Sequence, residues 1–568
     1  LTTADQSEQV TSLEPIAGSG DELREDLTSA SGTARDLVTV GAWTALSRGT
    51  GVIRVVVIGA VLGPTFLGNT YQLTNSLPNL IYYGFLAGSL FVSLLVPALV
   101  QHIDNHRPKD SARVAGGFLG IALVLLGLLA PIAVLLLPEL LRVTSLGGVG
   151  LSEVTRDSGQ IGVTRLLILL TIPQVFLYAV VGSATAVMYA HRRFALAAAA
   201  PLVENLGIIL VLVLVGMIYG TGRELGAQST GEVLLLGLGS TGAVAAHAAI
   251  QWWGARRAGV LLRPRAGWRD PEVLVTIRKA LRSVTQAGLL AVQLLALLLV
   301  SNRVAGGTVA IQMALNFYYL PIALAATPVA LALLPRLSRL HQSDSTGEFT
   351  STFIEGLGLA LFMAIPAAVG FVVLADPIAH TIAAGQMASP EGLRMIALGL
   401  AALALGLVGE TTFYVTTQAS YARGDTRTPL VSMGVQAAFC LTLCAVAAFA
   451  PARLLVPAIG GAYAIGAVIG GAHLFLRMSR GWQRRELWGS LGRIAFGSIV
   501  MAIPAYFSAQ LISSHLGGRP GQALALVTGA AVGVIVYAVI QLLLRSPEFA
   551  WLTSGLRNRG KTTVVETG

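Results

Sequence analysis

Fourteen apolar stretches dominate the chain, each of roughly the 20 residues a helix needs to cross a hydrocarbon slab. They lie near 37–62, 77–101, 114–139, 163–189, 195–219, 232–254, 283–302, 308–335, 353–375, 393–419, 429–450, 454–476, 491–513 and 521–544. In lipid only helices and closed barrels satisfy their own backbone, and these Leu/Ala/Val/Gly runs lack the two-residue alternation of barrel strands. The chain therefore reads as an all-α polytopic membrane protein with fourteen transmembrane helices. Composition agrees: charged residues make up 12%, about half the share of soluble domains, and the mean hydropathy is +0.72. No polar segment is long enough to house a soluble catalytic core, which argues against an enzyme.

A net charge of +10 raises nucleic acid as a partner, but the placement of the charges points to the lipid bilayer instead. With the gaps between spans assigned alternately to two sides, 28 of the 38 lysines and arginines fall on one side together with the tails, and 8 on the other. The remaining two, Arg48 and Arg54, lie inside a span. By the positive-inside rule the basic side is cytoplasmic, so both termini are expected there. The most basic gap, between spans six and seven, suits anionic lipid headgroups; a docked partner enzyme is an alternative that charge alone supports. Residues 1–36 hold no basic segment followed by an apolar core. They read as a disordered cytoplasmic tail rather than a signal peptide.

Three echoes suggest an internal repeat. Leu77-Pro78 returns as Leu320-Pro321, Val96-Pro97-Ala98-Leu99 as Leu334-Pro335-Arg336-Leu337, and Tyr189-Ala190-His191-Arg192 as Tyr421-Ala422-Arg423. Their offsets, 243, 238 and 232 residues, all correspond to six spans. Six is even, so the two halves run in the same direction, as in transporters built from parallel repeats. The expected organisation is a tail (1–36), a six-helix N-lobe (37–260), a basic cytoplasmic loop (261–282), a six-helix C-lobe (283–480), two further helices (481–550) and a second tail (551–568).

Chemistry in such a protein belongs to polar groups at bilayer depth, where a charge costs at least about 2.5–3.5 kcal/mol. Arg48 and Arg54 lie about 16 and 25 Å along the first span, too deep to reach the interface easily. A guanidinium kept there suits an anionic ligand, phosphate above all; an internal ion pair is the alternative. Gly49 and Gly51 would let a head group or a neighbouring helix come close. Glu204 in the fifth span and Glu410 in the tenth are the matching carboxylates. They are readable as partners of those arginines, as cation or proton sites that couple transport, or as protonated contacts between helices. His247 in the sixth span reads as a packed histidine rather than a proton relay. Cys440 and Cys444, one turn apart, read as core residues and not as a disulfide or metal site. Residues 237–242 spell GxGxxG, but within a span, where small residues serve helix packing rather than a dinucleotide. No P-loop, metal triad or nucleophile elbow is present, so neither ATP hydrolysis nor a cofactor or metal is expected.

Several motifs resemble the MurJ/MviN family. Ser47-Arg48 with Gly51 and Arg54, then Leu77-Pro78-Asn79-Leu80 with Phe85 and Gly88, resemble its opening signature. Leu333-Leu334-Pro335-Arg336-Leu337-Ser338 resembles the end of its eighth helix. Tyr421-Ala422-Arg423-Gly424-Asp425-Thr426-Arg427-Thr428-Pro429 is similar to its loop between helices ten and eleven, the most specific match. The resemblance spans 37–545. It implies membership of the multidrug/oligosaccharidyl-lipid/polysaccharide exporter superfamily. The cargo it implies is a polyprenyl-diphosphate-linked glycan, lipid II for peptidoglycan synthesis, flipped from the inner to the outer leaflet of a bacterial cytoplasmic membrane. It further implies a cavity lined by helices 1, 2, 7 and 8, a lipid-tail groove on the last two helices, and Arg48 and Arg54 on the diphosphate. Cell-wall synthesis proteins are candidate partners.

The departures from that family concern the same cavity. Asn69 stands where the family has an acidic residue, and Tyr82 and Tyr83 stand where it has arginines. Asn316 replaces a basic residue of helix eight, and Tyr319 an acidic one. These positions are expected to give the cavity polar and aromatic surface, with tyrosine rings stacking on sugar faces. Three classes stay in contention: a flippase for lipid II or another lipid-linked oligosaccharide, a small-molecule antiporter of the same superfamily, and a non-transporting scaffold for cell-wall synthesis. The antiporter would usually stop at twelve helices.

Overall fold

The computed structural model describes residues 42–82, 95–105, 107–145, 151–480 and 485–551. The expected tails at 1–36 and, but for Trp551, 551–568 lie outside them, as does Tyr83. Among the described residues the regular elements are helices and there are no strands. In chain order they are α1 (Ala42–Leu62), α2 (Phe66–Tyr82), α3 (Val96–Asp104), α4 (Pro108–Ser145), α5 (Leu151–Thr171), α6 (Pro173–Ala190), α7 (Phe194–Tyr219) and α8 (Thr230–Arg257). There follow α9 (Pro271–Ser301), α10 (Gly307–Pro321), α11 (Thr327–Gln342), α12 (Thr346–Val373), α13 (Ala375–Ile382), α14 (Pro390–Ala404) and α15 (Leu407–Ala422). The last four are α16 (Arg427–Ala447), α17 (Ala452–Met478), α18 (Arg485–His515) and α19 (Gly518–Leu543).

Twelve helical segments are long and apolar enough to cross a membrane, and α14 with α15, bent by 47° at their junction, make a thirteenth. All thirteen coincide with expected stretches. The remaining one, 77–101, runs into residues 83–94, outside the described residues. Its start is corrected: α2 begins at Phe66, eleven residues earlier. The opening turns of α2 (Gly68, Asn69, Thr70, Tyr71, Gln72) are polar yet buried, so they face protein rather than lipid and escape a reading based on hydropathy. The eighth span runs to Gln342, seven residues further than expected, because the polar end of α11 (Arg336, Arg339, His341) stays helical, and a π-turn at Ile322–Ala326 carries α10 into α11 past Pro321.

The basic gap is also shorter than its charges suggest. Asp270 caps α9 by accepting from Glu272 N at 3.1 Å, and Pro271 takes the first helical position, where its missing N–H costs nothing. The linker 258–270 that remains lies across α4. Arg265 N donates to Gly116 O at 2.9 Å, and a side chain on Gly120 would overlap the Arg265 carbonyl. Arg113 of α4 pairs with Asp270 and, at 2.9 Å, with Glu272.

Helix packing follows the small residues, since lipid gives no hydrophobic drive between helices. Gly409 of α15 and Gly471 of α17 bring two backbones into contact. Within the GxGxxG run, Gly237 receives Leu170 and Gly239 receives Val211, so that motif packs helices as expected. Cys440 and Cys444 are free and buried. α2 packs on α9 and α10, joining the first half of the chain to the second, while α18 and α19 pair with each other and lean on α12 and α13.

Candidate functional site

A cavity of about 280 Å³ opens between α1, α2 and α6 on one side and α9 and α10 on the other. Its wall comes from the first, second, seventh and eighth spans, with Tyr178 of the fourth added. Gln72, Asn75, Ser76 and Asn79 contribute a polar stripe from α2; Gln312, Asn316 and Tyr319 contribute one from α10. Steps of three and four residues put each stripe on one helix face. Arg48 and Arg54 of α1 supply the positive charge, and Leu294 and Leu298 of α9 an apolar side.

The two arginines are held differently. Arg48 is exposed and makes no ion pair among the described residues. Arg54, with 23% of its side chain accessible, places Nη1 3.3 Å from Glu204 Oε1. The Tyr178 hydroxyl donates to the same oxygen at 2.8 Å, and His247 Nδ1 lies 2.8 Å from Oε2. Asn205, one residue on, donates to Ser47 O at 3.0 Å and to Thr50 Oγ1 at 3.2 Å, which fixes the stretch of α1 that carries both arginines. Arg54 Nε, Gln72 Oε1 and Asn75 Oδ1 are buried without a partner in the chain. Buried polar atoms are normally paired, so these three leave hydrogen-bonding capacity unspent beside the cavity.

The other expected site residues are distributed unevenly. Asn316 lines the cavity, its amide donating to Gln312 O at 2.8 Å. Asn69 does not line it and is corrected: fully buried, it donates to Val304 O at 2.7 Å and accepts from Thr308 N at 3.0 Å. Its amide is spent on the backbone of the α9–α10 turn, tying the start of α2 to the other half. Tyr82 also stands behind the wall, stacked on Tyr178 with ring centroids 5.3 Å apart, and supports it from there. Tyr83 lies outside the described residues. Glu410 is buried away from both arginines. Gln436 Nε2 approaches it at 3.5 Å and Tyr463 hydrogen-bonds to it, and the Tyr463 hydroxyl is 2.8 Å from that of Tyr319 on the cavity wall.

The loop motif at 421–429 is structural. Asp425 Oδ1 accepts from Arg427 N at 2.9 Å and Thr428 N at 3.0 Å, capping α16. Tyr421 donates to Gln286 of α9 at 3.0 Å, and the Arg423 guanidinium sits 4.8 Å over the Phe349 ring of α12. Partial burial works against the Asp425 charge, but the Thr428 and Arg427 hydrogen bonds and the nearby Arg282 outweigh it and hold the carboxyl below its ordinary value.

Gln72, Asn75, Tyr178 and Gln312 were not singled out from the sequence, and Asn79 only as part of a motif. The signal was present in α2 and α10, as polar residues at helical spacing within apolar spans; for Tyr178 there was none.

A family model described as Lipid II flippase MurJ matches residues 58–528. The chain is 26% identical over 413 residues to the probable lipid II flippase MurJ of Rhizobium meliloti (strain 1021), covering 72% of this chain and 74% of that protein. Among solved structures it is similar to a lipid II flippase MurJ in an inward closed conformation. The TM-score there is 0.68 at 16% identity, over 89% of this chain and 99% of that one. An inward-facing multidrug resistance MATE family transporter of the MOP superfamily gives a TM-score of 0.56 at 13% identity, over 79% and 95%.

Proposed function

The chain belongs to the MurJ family of lipid II flippases, and on that premise we propose that it carries lipid II from the inner to the outer leaflet of a bacterial cytoplasmic membrane. The observation that carries this reading is the polar cavity between the halves, with Arg48 and Arg54 on its wall beside Gln72, Asn75 and Asn316. Two guanidinium forks suit a diphosphate. The amides of Gln72, Asn75 and Asn316 and the rings of Tyr178 and Tyr319 suit the sugars, while the polyprenyl chain stays in lipid beside α18 and α19.

The basic side of the spans is cytoplasmic in this reading, with both termini, so the α1–α2 and α9–α10 turns face outside. There Asn69 joins the halves, and Gln160 donates to Thr70 at 2.9 Å and to Asn302 at 3.0 Å. The head group enters from the cytoplasm. The two lobes, 37–260 and 283–480, then rock so that this outer seal opens and the head leaves. No covalent step is involved, and without an ATPase motif the drive is an ion gradient, the membrane potential or consumption of the product.

In a strain lacking its own flippase, Arg48→Ala and Arg54→Ala each abolish complementation at unchanged protein level; full activity of both removes the arginines from the mechanism. Depletion of the protein leaves lipid II in the inner leaflet. Accumulation of a different polyprenyl-diphosphate glycan transfers the mechanism to that cargo, and an unchanged precursor pool overturns transport.

A further inference from the structure

Behind Arg54 the polar groups continue away from the cavity. His247 is 4% exposed; its Nδ1 faces Glu204 Oε2 at 2.8 Å and its Nε2 faces Gln251 Nε2 at 3.4 Å. An amide nitrogen has only hydrogens to offer. In this arrangement His247 Nε2 is therefore an acceptor and the ring is neutral, with its Nδ1–H donating to Glu204. Gln251 Nε2 also donates to Ala197 O at 3.2 Å, while its Oε1 is buried without a partner. That orphaned oxygen is the acceptor a second ring N–H would need. Turning the amide over supplies it and gives up the Ala197 bond. The pocket thus has two hydrogen-bonding arrangements that differ by one proton on His247.

The charges make the two arrangements unequal toward an anion. With a neutral ring, Arg54 and Glu204 cancel. With the proton bound, Glu204 is satisfied by an imidazolium and by Tyr178, and the Arg54 guanidinium is left uncompensated at the cavity wall. The surroundings add little that could blur this. Tyr71 of α2 is engaged with Ser240, their oxygens 2.8 Å apart; α6 brings Tyr178, and Arg165 of α5 pairs with Glu139 at 3.6 Å.

We propose that Glu204 and His247 form a proton-binding site linked to the cargo: the diphosphate displaces Glu204 from Arg54, and a proton taken from water onto His247 Nε2 replaces the partner Glu204 has lost. This rests on the reading of Arg54 as a diphosphate ligand and goes beyond it, and it reverses the expectation that His247 is inert.

The test uses the full-length chain in nanodiscs with a reporter thiol, Asn79→Cys, on the cavity wall; the native Cys440 and Cys444 are buried. The ratio of labelling rates by an anionic and a cationic methanethiosulfonate measures the local charge and cancels the ionisation of the thiol. From about pH 8 down to about pH 5.5, the ratio rises several-fold in the reporter protein. It is flat and low with His247→Asn added, and flat and high with Glu204→Gln added. His247→Gln replaces the asparagine variant should that one misfold. A flat ratio in the reporter protein, or a rise that survives loss of His247, overturns the proton site. Lipid II titrated onto the wild-type chain binds several-fold more tightly at the acid end. Tight binding that ignores pH breaks the link to cargo, and no binding at all, with the charge ratio still responding, retires the cargo reading while the proton site stands.

Discussion

Glu204 in α7 and Glu410 in α15 are 6% and 9% exposed, both within membrane-spanning segments, yet the protein accommodates them in opposite ways. Glu204 is surrounded by a guanidinium, an imidazole and a phenol. Glu410 takes its hydrogen bonds from a carboxamide and a phenol, and no cation pairs with it among the described residues. Charge in a low-dielectric interior persists only with partners. The first pocket is therefore built to keep an ion, and the second to keep a neutral acid. The difference teaches where exchange can occur. A carboxylate that already holds the cavity's arginine can surrender it to a competing anion. A neutral acid wired to the cavity only through the Tyr463 and Tyr319 hydroxyls can relay hydrogen bonds but has no counter-ion to trade.

The comparison breaks most visibly on removing the carboxyl groups. Glu204→Ala strands Arg54 and His247 and is expected to cost about 3 kcal/mol, the lower end of the range for breaking a buried pair, because Arg54 keeps some access to water. Adding Arg54→Ala to it is expected to recover part of the loss. Denaturant unfolding in mixed micelles reads both, and equal losses for Glu204→Ala and Glu410→Ala would erase the distinction. One step smaller, Tyr178→Phe removes a hydrogen bond to a charged acceptor, worth about 2 kcal/mol, whereas Tyr463→Phe removes neutral ones, worth about 1 kcal/mol. The reverse order in the same assay would mean that Glu410 is the ionised member.

The fold was largely legible because lipid imposes a coarse rule: thirteen of the spans announced themselves by length and apolarity. What escaped was polar helix buried in protein. The first turns of α2 look like a loop in sequence because Asn69, Thr70 and Gln72 are unfit for lipid, and the partners of Asn69 and Thr70, namely Val304, Thr308 and Gln160, lie far off in the chain. The site was half legible. Arg48 and Arg54 stood out by their cost in a membrane, and the polar stripes of α2 and α10 could have been found by helical spacing. The pairing of Glu204 with His247 rather than with solvent could not, because it depends on how α7 and α8 rotate against each other. Asn69 and Tyr82 misled because an aligned position fixes a place on a helix and not the direction of the side chain.

A third carboxylate, outside the spans, sharpens the contrast. Asp425 is ionised like Glu204, but its partners are backbone N–H groups at the start of α16. Asp425→Ala is expected to cost about 1 kcal/mol, as for other lost caps. Because its folded pKa is lowered, its stabilisation is fully present above the unfolded value of about 3.9. It fades as pH falls through the folded value. Wild type should therefore lose this advantage over the alanine variant only in strong acid, as unfolding midpoints compared at neutral pH and near pH 3 will show; a difference that vanishes already near pH 6 would assign it to another group.

The smallest effect is the most discriminating. Glu410→Gln replaces a neutral acid by a neutral amide of the same shape, still able to accept from Gln436 and Tyr463 and to donate through its own nitrogen. It is expected to change stability by less than about 1 kcal/mol and to leave complementation near wild type. Glu204→Gln, the same chemical change, removes the charge that holds Arg54 and is expected to impair transport at normal protein level. If Glu410→Gln proves the more damaging of the two, the α15 carboxyl is the one that works as an ion, and the roles assigned to the two halves must be exchanged.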